Sequence, residues 1–144
     1  MADLHKMPEG YEFHHLGYAT ESIERERQFF EYMGYCQEGD LFADPVQGIS
    51  GCFLVGPGPR VELLENLPGS VTLTPWINAG VKMYHFAYWV DDLDSAINWA
   101  RAKRAKMIVE QVPAVAFDLC RIGFVMFPNR MMLELIERTN KVNI

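Results

Sequence analysis

The chain has 144 residues, 49% of them hydrophobic and 22% charged, with 19 acidic residues against 13 basic ones and a formal charge of −6. This is the balance of one ordinary globular domain spanning residues 1–144, long enough to bury about two-thirds of its unfolded surface without disulfides or a structural metal. The acidic excess excludes a protein built to coat nucleic acid, because affinity for phosphate backbones comes from clustered Lys and Arg.

Residues 1–9 read as a loose polar arm, without the basic start and apolar run of a signal peptide. No stretch approaches the ~18 consecutive apolar residues of a membrane span, so a membrane is not expected as a partner. Cys36, Cys52 and Cys120 are odd in number, widely spaced and free of any C-x-x-C pair. They read as reduced thiols serving as small core hydrophobes, and the expected location is cytoplasmic.

The next elements repeat. Phe13-His14-His15-Leu16-Gly17-Tyr18-Ala19 matches Met83-Tyr84-His85-Phe86-Ala87-Tyr88-Trp89 seventy positions later. In both, a strand-like run carries a His, then a small residue two positions on, then an N-cap (Ser22 or Asp92) and an amphipathic stretch. The first helix, 23–33, is expected to place Ile23, Phe29, Phe30 and Met33 near one face and to stop at Gly34. The second, 93–103, places Leu93, Ala96, Ile97 and Ala100 at helical spacing, and the charged faces of both read as solvated surface.

Three strand-like runs follow each helix. The clearest are 51–55 and 60–65, joined by Gly56-Pro57-Gly58-Pro59, and 121–127 and 131–137, joined by Pro128-Asn129-Arg130. The Gly-Pro segment is a hairpin turn rather than a phosphate loop, since no helix or Lys-Ser/Thr follows it. A shift of 72 aligns Val61-Glu62-Leu63-Leu64-Glu65 with Leu133-Glu134-Leu135-Ile136-Glu137. The expected fold is α+β, two βαβββ modules at about 11–66 and 83–138. The segment 67–82 reads as a connector that has the alternative of closing over a ligand.

Alternate side chains of a strand share a face. His15, Gly17 and Ala19 then face away from the helices, as do His85 and Ala87, while His14, Leu16 and Tyr18 take the helix side. The same parity turns Glu62 and Glu134 toward the open side. One His and one Glu from each half become symmetric candidates for a common centre, and two imidazoles with two carboxylates suit a borderline divalent ion with positions left for substrate. His5, His14, Glu65 and Glu137 read as surface or packing residues.

These same runs resemble the vicinal oxygen chelate superfamily, which includes glyoxalase I, methylmalonyl-CoA epimerase, extradiol dioxygenases and bleomycin-resistance proteins. The resemblance covers about residues 12–138. It implies a cupped sheet of paired modules around one divalent ion (Co, Ni, Mn, Zn or Fe), held by His15, Glu62, His85 and Glu134, commonly in a homodimer. Through the His-aliphatic-Gly-aromatic-Ala start, Pro45-Val46-Gln47-Gly48-Ile49 and the Glu-Leu-Leu-Glu strand, the chain is most similar to methylmalonyl-CoA epimerase. That implies proton abstraction beside the carbonyl of an acyl-CoA or related carbonyl substrate, with Glu134 as base and Glu62 as the second proton carrier.

The chain departs from the epimerases in having Gly51 where some carry a further carboxylate, and in lacking their Gly-rich loop over 112–121. A glyoxalase I-like lyase is the alternative, since its ligands resemble the same His, Glu, His and Glu set and Asn66 resembles a glutathione-contacting asparagine, although Ala19 stands where bacterial glyoxalases tend to have Arg. A non-catalytic binding or resistance protein is the second alternative. Arg60, Lys82 and Arg121 are the basic residues available to a substrate anion, with nothing in the sequence to choose between them.

Overall fold

The computed structural model describes residues 6–138. The expected arm at residues 1–9 falls partly, and His5 wholly, outside the described residues. Eight strands and three α-helices follow in chain order among the described residues: β1 (Glu12–Ala19), α1 (Ile23–Tyr32), β2 (Cys36–Asp44), β3 (Ile49–Gly56), β4 (Gly58–Asn66), α2 (Thr74–Ala79), β5 (Met83–Val90), α3 (Leu93–Ala102), β6 (Lys106–Ala114), β7 (Cys120–Met126) and β8 (Met132–Glu137). They form one curled mixed sheet in the order β2-β3-β4-β1-β5-β8-β7-β6. Each half has the same βαβββ order, and the halves join where β1 runs antiparallel to β5. No helix among the described residues is long and apolar enough to cross a membrane.

Helices α1 and α3 cover one face of the sheet. Under α1 lie Tyr18, Cys52, Leu54, Val61 and Leu63, packed on Ile23 and Phe30. Under α3 lie Val90, Val125, Leu133 and Leu135, packed on Leu93, Ala96, Ile97 and Ala100. The second helix thus buries the four residues its spacing predicts. The first does not: Phe29 and Met33 are 59% and 56% exposed. Ile23 and Phe30, seven residues apart, define the buried stripe, and Phe29 and Met33, four apart, form a second stripe turned outward. Among the cysteines, Cys52 is a core residue as expected, whereas Cys36 is exposed at the start of β2.

The helix starts repeat in detail. Ser22 accepts from Arg25 N at 3.2 Å and Asp92 from Ser95 N at 3.3 Å, the expected N-caps. A second acceptor comes from the end of the last strand of each half: Glu65 Oε1 takes the Ile23 N–H and Glu137 Oε2 the Leu93 N–H, both at 2.9 Å. Glu65 and Glu137 therefore tie strand to helix, and their place next to Leu64 and Ile136 is structural.

The sheet curls until its edges meet. Asp44, at the end of edge strand β2, is 1% exposed. It accepts from Gln47 N at 3.1 Å, from Gln47 Nε2 at 2.9 Å and, across the cup, from Val115 N at 3.0 Å, just beyond edge strand β6. Phe117, in the single turn of helix over Val115–Phe117, packs against Phe53 with centroids 5.8 Å apart. The segment 67–82, expected as a connector, contains α2 and lays Leu73 and Trp76 against the open side of the first half.

Glu137 generates a pH prediction. The Arg121 guanidinium, at 2.9 Å, outweighs partial burial and holds the Glu137 carboxyl below the usual carboxylate range, with help from the Leu93 N–H. A depressed folded pKa contributes stability above the unfolded value near 4.5 and loses it as pH falls through the folded value. Glu137→Gln should lower stability in urea by roughly 1 kcal/mol at pH 7 and flatten its decline below pH 4.5, while an unchanged acid limb would count against this coupling.

Candidate metal centre

Strand register explains the site. Gly17 of β1 stands between Glu62 of β4 and His85 of β5. Ala87 of β5 stands in turn between His15 of β1 and Glu134 of β8. A row of three strands in each direction thus carries a Glu, a small residue and a His. The small residue is required: a Cβ on Gly17 would overlap the His85 ring. This is the physical reason for a glycine two positions after His15.

The four side chains meet. His15 Nε2 lies 3.1 Å from Glu62 Oε1, 3.2 Å from Glu134 Oε1 and 3.2 Å from His85 Nε2. His85 Nε2 lies 3.1 Å from Glu134 Oε1 and 3.8 Å from Glu62 Oε1. One donor atom from each residue falls within 4.8 Å of all the others, and all four residues are buried. The structure therefore brings together every residue the sequence picked as a ligand candidate.

The donor set fits a divalent cation. Two imidazoles and two carboxylates are the nitrogen and oxygen donors that such ions take, and burying two carboxylates without compensating positive charge is costly. Glu134 Oε1 makes no hydrogen bond despite its short distances to both imidazoles, and His85 Nδ1 has no partner either. The electrostatics point the same way. Burial works against a charged His15, yet Glu62 and Glu134 outweigh it and raise its pKa to about 9. Burial likewise opposes ionisation of Glu134, and the two imidazoles overcome it to hold that carboxyl at about 2. The site's field favours cationic charge.

Parity fails for the residues just before the two histidines. The β1–β5 pairing skips His14 between Phe13 and His15, and skips Tyr84 between His85 and Met83. A bulge adds a residue and turns it out of alternation, so both swing to the site. His14, expected on the helix side, packs as a half-buried ring against Phe53, Trp89 and Phe117 and places its Nδ1 2.8 Å from His15 Nδ1. Burial, then the His15 charge and Arg60, lower its pKa to about 4, so His14 is neutral at pH 7. It can accept the His15 Nδ1 proton and so leave the His15 Nε2 lone pair facing the cluster.

Tyr84 crosses the His85 ring edge-on at 4.6 Å, the counterpart of His14 on His15 at 5.1 Å. Burial, followed by Glu62 and Glu134, pushes its phenol well above the ordinary value. It lines a cavity of about 400 Å³ that also takes in Glu62 and Glu134, with walls from Phe42, Ile49, Trp76, Val112, Phe117 and Phe124. Sequence reasoning passed over Tyr84, although the repeat itself aligns it with His14. Gly51 leaves no room for a carboxylate: a Cβ there would stand 2.8 Å from Phe42 Cζ and 2.9 Å from the Leu63 carbonyl.

A fold of two βαβββ halves with this centre at their seam defines a class. The model of the glyoxalase/bleomycin resistance protein/dioxygenase superfamily matches residues 14–124, and the chain belongs to that superfamily. Among solved structures, it is similar to a hypothetical protein from Bacillus halodurans C-125, at 22% identity and a TM-score of 0.75, over 94% of this chain and 100% of that one. It is also similar to methylmalonyl-CoA epimerase from Mycobacterium tuberculosis, at 21% identity and a TM-score of 0.73, over 96% of each chain. A third similar structure is Streptomyces coelicolor methylmalonyl-CoA epimerase in complex with 2-nitronate-propionyl-CoA, at 17% identity and a TM-score of 0.67, over 90% of this chain and 98% of that one. No curated protein sequence matches.

Two measurements test the centre. A divalent ion at a hundred times its dissociation constant should stabilise the fold by about 2.7 kcal/mol, reversibly on chelation, with one ion per chain by elemental analysis. No thermal shift with any of Co, Ni, Mn, Zn or Fe would defeat the assignment. His14→Ala should keep that stoichiometry and weaken binding by about 10- to 100-fold in calorimetric titration; unchanged affinity would leave His14 a packing residue only.

Proposed function

We propose that the protein is a metal-dependent enzyme that moves a proton at the carbon next to a carbonyl, an epimerase or isomerase of an acyl thioester of the methylmalonyl-CoA type. The observation that carries this reading is the joint position of Glu62 and Glu134, which belong to the buried His/Glu cluster and also line the cavity. His15, Glu62, His85 and Glu134 would hold the ion. When bound, the ion supplies a Lewis acid that stabilises negative charge developing at a carbonyl oxygen.

The remaining chemistry belongs to the chain. Glu134, ionised at neutral pH by its imidazole neighbours, accepts the α-proton at a carboxylate oxygen. Glu62 comes from the other half, and the strand order β4-β1-β5-β8 sets the two carboxylates on opposite sides of the central strand pair. Carboxylates on two sides of one carbon suit removal of a proton from one face and its return to the other. The apolar walls keep water from the carbanionic carbon. Similar solved proteins include a methylmalonyl-CoA epimerase in complex with methylmalonyl-CoA, which supports an acyl-CoA substrate class.

For the glyoxalase-type alternative, which the two-His, two-Glu set also fits, Asn66 is engaged within the fold. Asn66 donates to Thr74 Oγ1 at 3.2 Å and accepts from Leu73 N at 2.8 Å, fixing the start of α2.

The deciding experiment is deuterium washout at the α-carbon of a panel of acyl-CoA thioesters, methylmalonyl-CoA among them, in heavy water with the ion restored. Exchange should appear with the wild type, fall by at least about 100-fold in Glu134→Gln and persist in Glu65→Gln. Absence of exchange from every thioester, or full exchange in Glu134→Gln, overturns the proposal. Isomerisation of a glutathione hemithioacetal in place of exchange would install the lyase reading.

A further inference from the structure

The bulges of the two halves set different side chains beside equivalent histidines. In the first half the extra residue is spent on its neighbour, with His14 Nδ1 2.8 Å from His15 Nδ1. In the second half Tyr84 does not play that part, and His85 Nδ1 is left without a hydrogen-bond partner. The Tyr84 hydroxyl has no partner either among the described residues, and the residue lines the cavity.

The Tyr84 ring is fixed while its hydroxyl is free. It crosses His85 edge-on at 4.6 Å and packs on Trp76 with centroids 5.3 Å apart. These contacts tie the ring to the cluster and to α2, in the field of both Glu62 and Glu134. The other hydroxyl and amide side chains of the wall are engaged: Gln47 donates its amide to Asp44 at 2.9 Å, and Thr72 gives its hydroxyl to the Gln47 carbonyl at 2.7 Å. A phenol is protonated at neutral pH, so Tyr84 brings one directed donor, and no charge, to a wall that already holds two carboxylates.

We propose that Tyr84 is a further catalytic residue of this site, donating its phenolic hydrogen bond to a substrate oxygen that gains negative charge as the α-proton leaves. The role deepens the proposed function and rests on it. The α-proton passes to Glu134, the electron pair of the broken C–H bond spreads onto oxygen, and the phenol keeps its own proton throughout. A donor already in place when the charge develops stabilises the charged state more than the neutral one, which lowers the barrier. A thioester of the malonyl type has more than one oxygen to hold, so a donor outside the His/Glu cluster adds to what the cluster binds. The bulge that breaks alternation at this position is what turns the phenol to the site.

Tyr84→Phe removes the hydroxyl and keeps the ring. In α-proton exchange by the metal-loaded protein, kcat should fall by about 100- to 1,000-fold while KM stays within about threefold. Introducing 4-aminophenylalanine at position 84 returns an uncharged donor to the same place and should recover at least about tenfold of that loss. A second arm needs no turnover. The probe is 2-nitronate-propionyl-CoA, whose nitronate oxygens already bear the negative charge, titrated calorimetrically into metal-loaded wild type and Tyr84→Phe. The variant should bind it at least about tenfold more weakly, with the same metal content as the wild type. Should Tyr84→Phe fail to fold, 4-methylphenylalanine at position 84, which fills the space of the hydroxyl without donating, takes its place in both arms.

Exchange by the variant at the wild-type rate, a loss confined to KM, or no recovery with 4-aminophenylalanine overturns the role of Tyr84 and leaves the proposed function standing. Equal affinity of the two proteins for the nitronate, or binding by neither, overturns it as well. If no thioester exchanges in the wild type, the proposed function falls, and the nitronate titration still decides whether the phenol holds a negatively charged oxygen.

Discussion

Two carboxylates and two imidazoles buried at one point are the constraint on which the rest of this molecule depends. Glu62 and Glu134 are held out of water within hydrogen-bonding range of His15 and His85. Carboxylates in an apolar interior are tolerated only beside compensating positive charge. Each half contributes one of each, and the β1–β5 ladder sets the register that brings them together. The small residues follow from the same demand. Gly17 and Ala87 occupy the crossing points of the two rows, and a Cβ on Gly17 would already overlap the His85 ring.

A centre of this kind needs walls, and the sheet supplies them by curling. Strand twist bends an eight-stranded sheet, but twist alone leaves two edges apart. Asp44 closes the gap by accepting from Gln47 on its own side and from Val115 across the cup. A buried carboxylate with three N–H donors is a strong local tie. It brings β2 beside the turn that carries Phe117, and the aromatic contacts of Phe53 and Phe117 follow. The cluster therefore sits at the bottom of a closed, apolar cup.

Much of this was legible in the sequence, for a physical reason. Duplication prints the same pattern twice, so a single His and a single Glu, each weak alone, become a paired signal, and strand alternation then places His15, Glu62, His85 and Glu134 on one face. The same alternation misplaces His14 and overlooks Tyr84, because a bulge breaks the two-residue period and nothing in Phe13-His14-His15 marks it. Helix spacing also misjudges Phe29 and Met33, which fit an apolar stripe but face outward. Asp44 and Trp76 act through partners distant in the chain, and no local pattern announces such contacts.

The two halves are alike in topology and unlike in what they leave open. Each bulge turns a residue toward the seam, His14 in the first half and Tyr84 in the second, and each lies edge-on to the histidine that follows it. Around His14 the space is filled by Phe53, Trp89 and Phe117. Beside Tyr84 it is left as the cavity. A symmetric donor set is thereby given one open side, and both Glu62 and Glu134 line it. His14 lies against His15 and Tyr84 against the cavity: the repeat builds the cluster, and the difference between its copies opens one side of it.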